Sequence, residues 1–183
     1  MNKKILAIIR KSPTNTPEIS IKAQKQRILE RIQQDFKSRV IHSLEIIWAI
    51  DVCKGDDAEG RINLMKALKN GTSQYERSYC LNADRFSRSW LGIKWFHEYF
   101  LDTQLHFVEG LPSLYDKEGN VNHESYLFFF IQCGYAQYEL LKIRKRTAAG
   151  RERVRLNPAE WKRKYKGRPK GAKDLKKRKK SKK

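Results

Sequence analysis

The stretch KILAIIRKS, residues 4–12, decides the fold expected for this chain. It is a short, continuous apolar run with β-branched residues, and it ends in Arg10, Lys11 and Ser12. Such a run is typical of a strand that is buried on both faces of a parallel sheet. Its polar end has two explanations. Either the strand simply reaches the surface and turns, or it presents Ser12 as a nucleophile at the carboxyl edge of the sheet.

The rest of the chain alternates between strand and helix patterns. Further strands are predicted at residues 40–52 (as one strand or two), 77–83 and 104–110. Helices are predicted at about 17–36, 61–71, 90–101 and 125–147, the first of them capped by Thr16 and opened by Pro17. The alternation predicts an α/β fold with a mostly parallel sheet and flanking helices.

Positive charge is concentrated at one end of the chain. Residues 144–183 contain 20 of the 40 Lys and Arg residues but only 3 of the 20 acidic residues, and so carry most of the net charge of +20. Such a segment indicates a polyanionic partner, most often nucleic acid. A solubilising tail is the alternative, and a membrane surface is less favoured because apolar anchors are missing. Its few apolar residues predict disorder beyond a short helix near 158–165.

Several other classes of site are not expected. The three cysteines and four histidines show no metal-ligand or disulfide spacing, which predicts no metal and a reducing, cytoplasmic location. Neither GxGxxG nor GxxxxGK[ST] is present, so no nucleotide cofactor is expected. The longest apolar run, YLFFFI, has six residues, which is too short to span a membrane.

Two predicted strand ends carry the residues with the clearest chemistry. The first has Arg10 and Ser12, and the third has Asp84, Arg85 and Arg88 within ADRFSRS. Ligands of open α/β sheets gather outside the carboxyl ends of the strands, so these residues are expected to converge. A cluster of guanidiniums would stabilise charge on a phosphoryl group while Ser12 attacks it. The alternative is that these arginines are structural or ordinary surface residues.

Four motifs in this order resemble the catalytic domain of the serine recombinases, the resolvase/invertase family. They are IIRKS with SIKAQ (20–24), DVCKGDDAEGR (51–61), ADRFSR (83–88) and AQYELLKIRKRTAAGR (136–151). The resemblance covers residues 4 to about 151 and implies a resolvase-like fold with a long C-terminal helix.

The resemblance also implies a role for each matching residue. Ser12 would attack the scissile phosphate and become linked to the 5′ phosphate, releasing a 3′ hydroxyl. Arg10, Arg85 and Arg88 would surround that phosphate, and Arg61 would approach from the neighbouring loop. The implied supporting residues are Gln24 for positioning the active-site loop or the DNA backbone, Asp84 for orienting arginines rather than handling protons, and Glu139 for the site or an interface. No metal or nucleotide cofactor is implied.

The sequence departs from the family pattern at several positions. Ile8 replaces a common tyrosine, Lys54 a usual serine, and Leu140 an arginine that often follows the long-helix glutamate. The loop before Arg61 is slightly longer than the family pattern. Ser12 and the core arginines are retained, so activity is expected.

The predicted organisation has three parts: a catalytic core at 1–123, a long helix at 124–150 that forms an interface or contacts DNA, and a basic DNA-binding tail at 151–183. The tail lacks the apolar residues of a helix-turn-helix unit. KGRPKGAK (166–173) could lie in the minor groove with Arg168 inserted, as arms of related DNA-binding domains do, or hold phosphates without sequence preference. DNA contacts are expected from Arg144, Lys145, Arg146, Arg151, Arg153, Lys166, Arg168 and Lys170.

The long helix carries more apolar residues than one face can bury, which indicates a partner helix, although ordinary core packing is the alternative. The resemblance implies homodimers on double-stranded DNA and tetramers in synapsis, with a possible accessory protein supplying sequence specificity. The leading hypothesis is thus a site-specific DNA recombinase. Its rival is a non-catalytic DNA-binding and dimerisation protein derived from one, and an RNA-associated basic protein is a third possibility.

Overall fold

The computed structural model describes residues 3–13, 19–69, 71–101 and 103–158. The chain divides into two compact units, Met1–Glu139 and Leu140–Lys183. The helices and strands are β1 (Lys4–Lys11), α1 (Ile21–Lys37), β2 (Ile46–Val52), α2 (Ile62–Lys69), β3 (Tyr75–Cys80), α3 (Ala83–Phe86), α4 (Leu91–Tyr99), β4 (Leu105–Phe107) and α5 (His123–Leu156).

The four strands form one parallel sheet in the order β2-β1-β3-β4. Ile8 of β1 is paired with Ala49 on one side and Cys80 on the other. The predicted α/β class with a parallel sheet and a long C-terminal helix is therefore confirmed. After β1 the chain moves to one side of the sheet, and after β3 it moves to the other. This reversal makes the carboxyl ends of β1 and β3 the topological switch point, where α/β sheets leave a crevice.

Both faces of the sheet are covered, which explains why β1 is apolar throughout. Ile5, Ala7 and Ile9 pack with Ile28 and Ile32 of α1 on one face. On the other face, the strand residues pack with side chains of α2, α3, α4 and the first half of α5. That larger cluster includes Leu6, Ile8, Leu64, Leu68, Phe86, Trp95, Phe96, Phe129 and Cys133.

Two predicted element starts differ from the structure. Helix α1 begins at Ile21, where the Ser20 hydroxyl accepts a hydrogen bond from the Ala23 amide at 3.1 Å. The expected cap Thr16 and opening residue Pro17 lie outside the described residues. Strand β2 begins at Ile46 rather than at residue 40. The segment before it is a loop. It starts with a tight turn, in which the Asp35 carbonyl accepts a hydrogen bond from the Val40 amide and Arg39 adopts a φ of 58°.

The sequence predicted that the stretch ADRF lies at the end of a strand. In the structure it forms a helical turn instead. Strand β3 ends at Cys80, and the Asn82 side chain accepts a hydrogen bond from the Arg85 amide at 3.1 Å. This side-chain cap supplies the acceptor that a further strand pairing would otherwise provide. Asp84 and Arg85 consequently follow β3 on a tight turn.

Helix α5 is longer than predicted and runs to Leu156. Residues 151–156, assigned to the basic tail from the sequence, are therefore helical. Gly150 is tolerated within the helix, and Arg155 forms two hydrogen bonds to Glu152 at 3.0 and 2.8 Å. The helix ends just before Asn157-Pro158, since a residue preceding proline disfavours the α conformation. The predicted tail structure beyond residue 158 lies outside the described residues.

All three cysteines, Cys53, Cys80 and Cys133, are free and buried. Among the described residues, no helix combines the length and the apolar character that crossing a membrane requires.

His106 of β4 is a buried titratable group in the core. It is 8% exposed and lies against the rings of Tyr79 and Tyr115, with centroid separations of 6.0 and 5.6 Å. Burial, together with the nearby charges of Arg77 and Arg31, lowers its pKa to about 3. The neutral imidazole is therefore the form that the fold accommodates.

This burial predicts an acid-sensitive stability. An unfolded histidine titrates near pH 6.5, so between about pH 6.5 and pH 3 the unfolded chain binds one more proton at this residue. The free energy of unfolding should fall as the pH drops through that range, with a slope from this residue of at most about 1.4 kcal/mol per pH unit. Urea unfolding at several pH values measures it.

His106→Gln should flatten the curve in this window, whereas His123→Gln, at an exposed position, should not. The prediction would be contradicted if the difference in unfolding free energy between wild type and His106→Gln were the same at pH 7 and at pH 5.

Candidate active site

The polar residues at the carboxyl edge of the sheet come from three successive connections. Ser12 follows β1, the loop 53–60 follows β2, and α3 follows β3. Strand β1 lies between β2 and β3, so all three connections meet around its end. The structure thus brings together the strand-end residues that the sequence had predicted to converge.

The Arg10 side chain joins these three connections. It is fully buried, with an exposed fraction of 0%. Its Nη1 donates to the Cys53 carbonyl at 3.0 Å, and its Nη2 donates to the Asp84 carbonyl at 3.2 Å. One guanidinium therefore holds the loop after β2 and the turn after β3 against the end of β1.

Ser12 lies half-buried just beyond Lys11, the last residue of β1. The Lys11 carbonyl accepts a hydrogen bond from the Cys53 amide at 3.0 Å, which extends the β1–β2 pairing to the residue before Ser12. The Ser12 backbone therefore starts from a fixed point at the edge of the sheet.

Gln24 fixes the same segment from α1. Its side chain is fully buried, and Nε2 donates to the Arg10 carbonyl at 3.1 Å and to the Ile19 carbonyl at 3.0 Å. These two carbonyls lie on either side of the segment that contains Ser12. Gln24 therefore clamps both ends of that segment.

Asp84 and Arg88 form a two-point ion pair on the rim of the site. Arg88 donates from Nε to Oδ1 at 3.0 Å and from Nη2 to Oδ2 at 2.7 Å. The side chains remain partly accessible, at 35% for Arg88 and 49% for Asp84. Arg85 is more deeply placed, with 7% exposure. The Asp84 carboxylate therefore holds the Arg88 side chain in one orientation.

Gly55 lies directly against the Arg88 side chain, a contact that the sequence motifs did not indicate. The Arg88 amide donates to the Gly55 carbonyl at 2.9 Å. A Cβ on Gly55 would lie 2.6 to 2.8 Å from Cβ, Cγ and Cδ of Arg88. Only a residue without a side chain leaves room for this approach, and the sole sequence signal was a glycine within KGDD.

Arg61 lies in the interior and not on the rim. It is 1% exposed, its Nη2 donates to the Phe86 carbonyl at 3.1 Å, and its guanidinium lies 5.9 Å from the centre of the Trp95 ring. Nε and Nη1 are buried without a hydrogen-bond partner among the described residues. The expectation that Arg61 approaches a phosphate from the neighbouring loop is not met by its position in this structure.

Asp51 supports the same loop and was not singled out from the sequence as a site residue. Its buried carboxylate accepts hydrogen bonds from the amides of Asn63 at 2.8 Å and Leu64 at 3.2 Å. It therefore caps the amino terminus of α2, where unpaired amides favour an anionic partner. The cap fixes the point at which the loop containing Gly55 ends.

Cys53 is a second potential nucleophile close to Arg10, but its environment keeps it protonated. Burial raises the pKa of its thiol, and the nearby Arg61 and Arg10 charges only partly offset this, while Asp51 and Asp57 add to the increase. The protonated thiol is a poor nucleophile at neutral pH. Ser12 is also the more accessible of the two side chains, since it is half-buried and Cys53 is buried.

The remaining predicted residues lie on α5 or beyond it. Glu139 is half-buried in the first unit. In the second unit, Arg144, Lys145, Arg146, Arg151 and Arg153 are all exposed on the helix. Lys166, Arg168 and Lys170 lie outside the described residues. Within the described ranges, no group of three His, Cys, Asp or Glu side chains is arranged to hold a metal ion.

This arrangement combines a half-buried hydroxyl with a group of arginines at one sheet edge. Guanidiniums remain protonated at all physiological pH values, and their planar donors match the oxygens of a phosphate. Donors fixed in advance stabilise the charge that develops on an attacked phosphoryl group without reorganising. Attack by a hydroxyl on a phosphate ester is therefore the chemistry that these residues can support.

No protein-family profile matches the chain, and no curated protein sequence matches it. Among solved structures, the chain is similar to the crystal structure of the N-terminal catalytic domain of TP901-1 integrase. The TM-score is 0.47 with 18% identity, and the match covers 75% of this chain and 96% of that one.

The close approach at Gly55 predicts that Gly55→Ala displaces Arg88 from Asp84. The added methyl group would overlap the Arg88 side chain, while the Arg88–Gly55 backbone hydrogen bond resists separation of the two segments. The Arg88 Nε–H group donates a hydrogen bond to Asp84 in the wild type. Once that bond is lost, its proton should exchange with solvent faster, as measured by nitrogen-15 NMR.

Gly150→Ala is the matched control, because nothing lies within 4 Å of a Cβ placed at that helical position. It should leave the Arg88 signal unchanged and stabilise the helix by up to about 1 kcal/mol. An Arg88 signal that is the same in Gly55→Ala and wild type would show that the contact is not as tight as described.

Proposed function

We propose that this protein cuts and rejoins double-stranded DNA through Ser12, as a site-specific serine recombinase of the resolvase/invertase type. The observation that carries the proposal is the buried Arg10 guanidinium, which binds the Cys53 and Asp84 carbonyls beside Ser12. Burying a cation is costly even when it is hydrogen-bonded, so a buried arginine calls for an explanation. Assembling a phosphate-binding edge around a serine supplies one.

The proposed reaction transfers the phosphoryl group twice, first to Ser12 and then to a 3′ hydroxyl. In the first step, a bond forms between Ser12 Oγ and the scissile phosphorus while the bond to the 3′ oxygen breaks. The hydroxyl proton leaves Ser12, and the departing 3′ oxygen takes up a proton. In the second step, a 3′ hydroxyl attacks the 5′-phosphoserine and releases Ser12. The number of phosphoester bonds is conserved, so rejoining requires no external energy source.

The arginines supply the electrostatic part of this proposal. Arg88 lies on the accessible rim and exchanges its Asp84 partner for a phosphate oxygen when DNA binds. Arg10 and Arg85 add positive charge from behind, and Asp84 keeps the Arg88 side chain oriented until DNA arrives. Gln24 maintains the Ser12 segment, and Glu139 supports the site or an interface from α5.

DNA backbone contacts are proposed for the exposed basic residues of α5. Between Leu140 and Leu156 this helix carries seven Lys and Arg residues and one acidic residue, Glu152. A helix of this charge binds phosphates with little sequence preference and strong salt dependence. The same role is proposed for Lys166, Arg168 and Lys170, with Arg168 as the candidate for minor-groove insertion.

The proposed assembly is a homodimer on DNA that pairs into a tetramer in synapsis. It is supported by the first half of α5, where large apolar side chains remain exposed although Phe129 and Cys133 are buried. An apolar patch of this kind on a single chain is typical of a protein interface. The exposed residues are Leu127, Phe128, Phe130, Ile131, Tyr135 and Tyr138. An accessory protein that adds sequence specificity belongs to the same proposal.

Ser12→Ala should abolish a covalent protein–DNA adduct. The wild-type protein, incubated with supercoiled DNA and then denatured, should retain a fraction of DNA-linked protein that is visible by denaturing electrophoresis. Removing Oγ removes the atom that becomes bonded to phosphorus, so the adduct should fall below detection while DNA binding persists.

Ser38→Ala, at an exposed position following α1, is the control and should leave the adduct yield unchanged. An adduct that persists in Ser12→Ala would exclude Ser12 as the linking residue. A wild-type protein that binds DNA but never forms an adduct would instead favour the non-catalytic DNA-binding protein.

The salt dependence of DNA binding should report the α5 contacts. Replacing Arg144, Lys145 and Arg146 together by Gln should reduce the slope of log K against log salt by about 2 to 3, because each lost phosphate contact contributes about 0.9. The exposed residues Lys37, Lys66 and Lys69, changed together to Gln, provide a control of equal charge and should leave the slope nearly unchanged. Equal effects in both triple variants would contradict the assignment.

A further inference from the structure

We infer that Arg61 is a positioning residue that holds the Phe86–Arg88 turn from inside the protein and does not itself bind the DNA phosphate. The inference rests on the proposed function, since it assigns Arg61 a place in that site. It replaces the direct phosphate contact that the sequence alone had suggested.

The Arg61 backbone is fixed on both sides. Its amide donates to the Ala58 carbonyl at 3.2 Å, and its carbonyl accepts from the Met65 amide at 2.9 Å as the first turn of α2 forms. Asp51 caps two further amides of that turn, those of Asn63 and Leu64. The side chain therefore leaves the backbone from a point that has little freedom to shift.

The Arg61 guanidinium joins α3 and α4 to the start of α2. Nη2 donates to the Phe86 carbonyl at 3.1 Å, and the guanidinium carbon lies 5.9 Å from the centre of the Trp95 ring. Trp95 is only 5% exposed, so this cation–π contact is shielded from water. The cation is thus held between a carbonyl of one element and a ring of another.

Phe86 is the residue through which this support reaches the site. Its ring is fully buried and contacts the rings of Trp95 at 6.0 Å and Phe100 at 5.6 Å. Arg85 precedes it directly, and Arg88 follows two residues later. Fixing both the ring and the carbonyl of Phe86 therefore fixes the direction in which the neighbouring arginines leave the turn.

A direct phosphate contact would require Arg61 to leave this position. Its exposed fraction is 1%, so the guanidinium would have to abandon the Trp95 ring and leave the Phe86 carbonyl without this donor. Nε and Nη1, which have no hydrogen-bond partner among the described residues, are the donors that such a contact would use. The experiment must therefore separate an internal support from a donor that moves outward when DNA binds.

The salt dependence of DNA binding makes this separation, measured with Ser12→Ala added to every variant so that only binding is observed. Arg61→Gln should leave the slope of log K against log salt unchanged, because it removes no phosphate contact. Arg88→Gln should reduce the slope by about 0.9. Lys4→Gln, which removes a cation at the amino end of β1, is the control and should have no effect. A slope reduced by about 0.9 in Arg61→Gln would overturn the inference.

The rate of adduct formation, measured with Ser12 intact, supplies the second readout. Arg61→Gln should slow it by about 10-fold to 100-fold although DNA affinity is retained. Trp95→Phe should slow it less, and the double variant should be no slower than Arg61→Gln alone, since both changes loosen the same support. Additive losses would indicate that Arg61 acts independently of Trp95, which contradicts the inference.

Wild-type protein provides a test that does not depend on a variant folding. Phenylglyoxal, which modifies accessible arginines, should label Arg88 in the free protein, and added duplex DNA should protect it. Arg61 should remain unlabelled in both states when modified peptides are identified by mass spectrometry. Labelling of Arg61 that DNA suppresses would overturn the inference. This result is independent of adduct formation, so it is distinguishable from failure of the proposed function.

Discussion

The hydrogen bonds from the buried Arg10 guanidinium to the Cys53 and Asp84 carbonyls are the constraint on which the candidate site depends. A buried cation must have its donors satisfied or its burial becomes strongly unfavourable. If the loops after β2 and β3 moved away from β1, the buried Arg10 donors would lose their hydrogen-bond acceptors. Residues that are far apart in sequence are thereby held around Ser12, which follows the same strand.

The other contacts of the site extend this constraint. Gln24 clamps the two ends of the Ser12 segment, Asp51 caps α2 behind the β2 loop, and Gly55 lets the Arg88 side chain lie directly against that loop. Each is short-range and depends on the strand order β2-β1-β3, which places the three connections side by side. The accessible Arg88–Asp84 pair on the rim is the part of the site that can change partner at little cost.

Much of the fold was predictable because strand and helix patterns are local. The apolar run of β1 and the 3.6-residue periodicity of α1 report burial directly, and the alternation of elements indicates a parallel sheet. Element boundaries were predicted less well. Ser20 caps the described start of α1, ADRF forms a helical turn behind the Asn82 cap, and α5 continues past Gly150. These outcomes depend on single side-chain hydrogen bonds or on the lack of a helix-stopping residue.

The sequence by itself determined which residue types stand at the strand ends: Arg10 and Ser12 at the end of one strand, and Asp84, Arg85 and Arg88 after another. Those positions follow from local pattern, since a buried apolar run must end before the polar residues begin. Only the tertiary structure decided what each arginine contacts. Arg10 and Arg61 are both buried, yet one binds carbonyls beside Ser12 and the other lies between Phe86 and Trp95. The direction of a long side chain is set by the packing of neighbouring elements, which no local motif encodes.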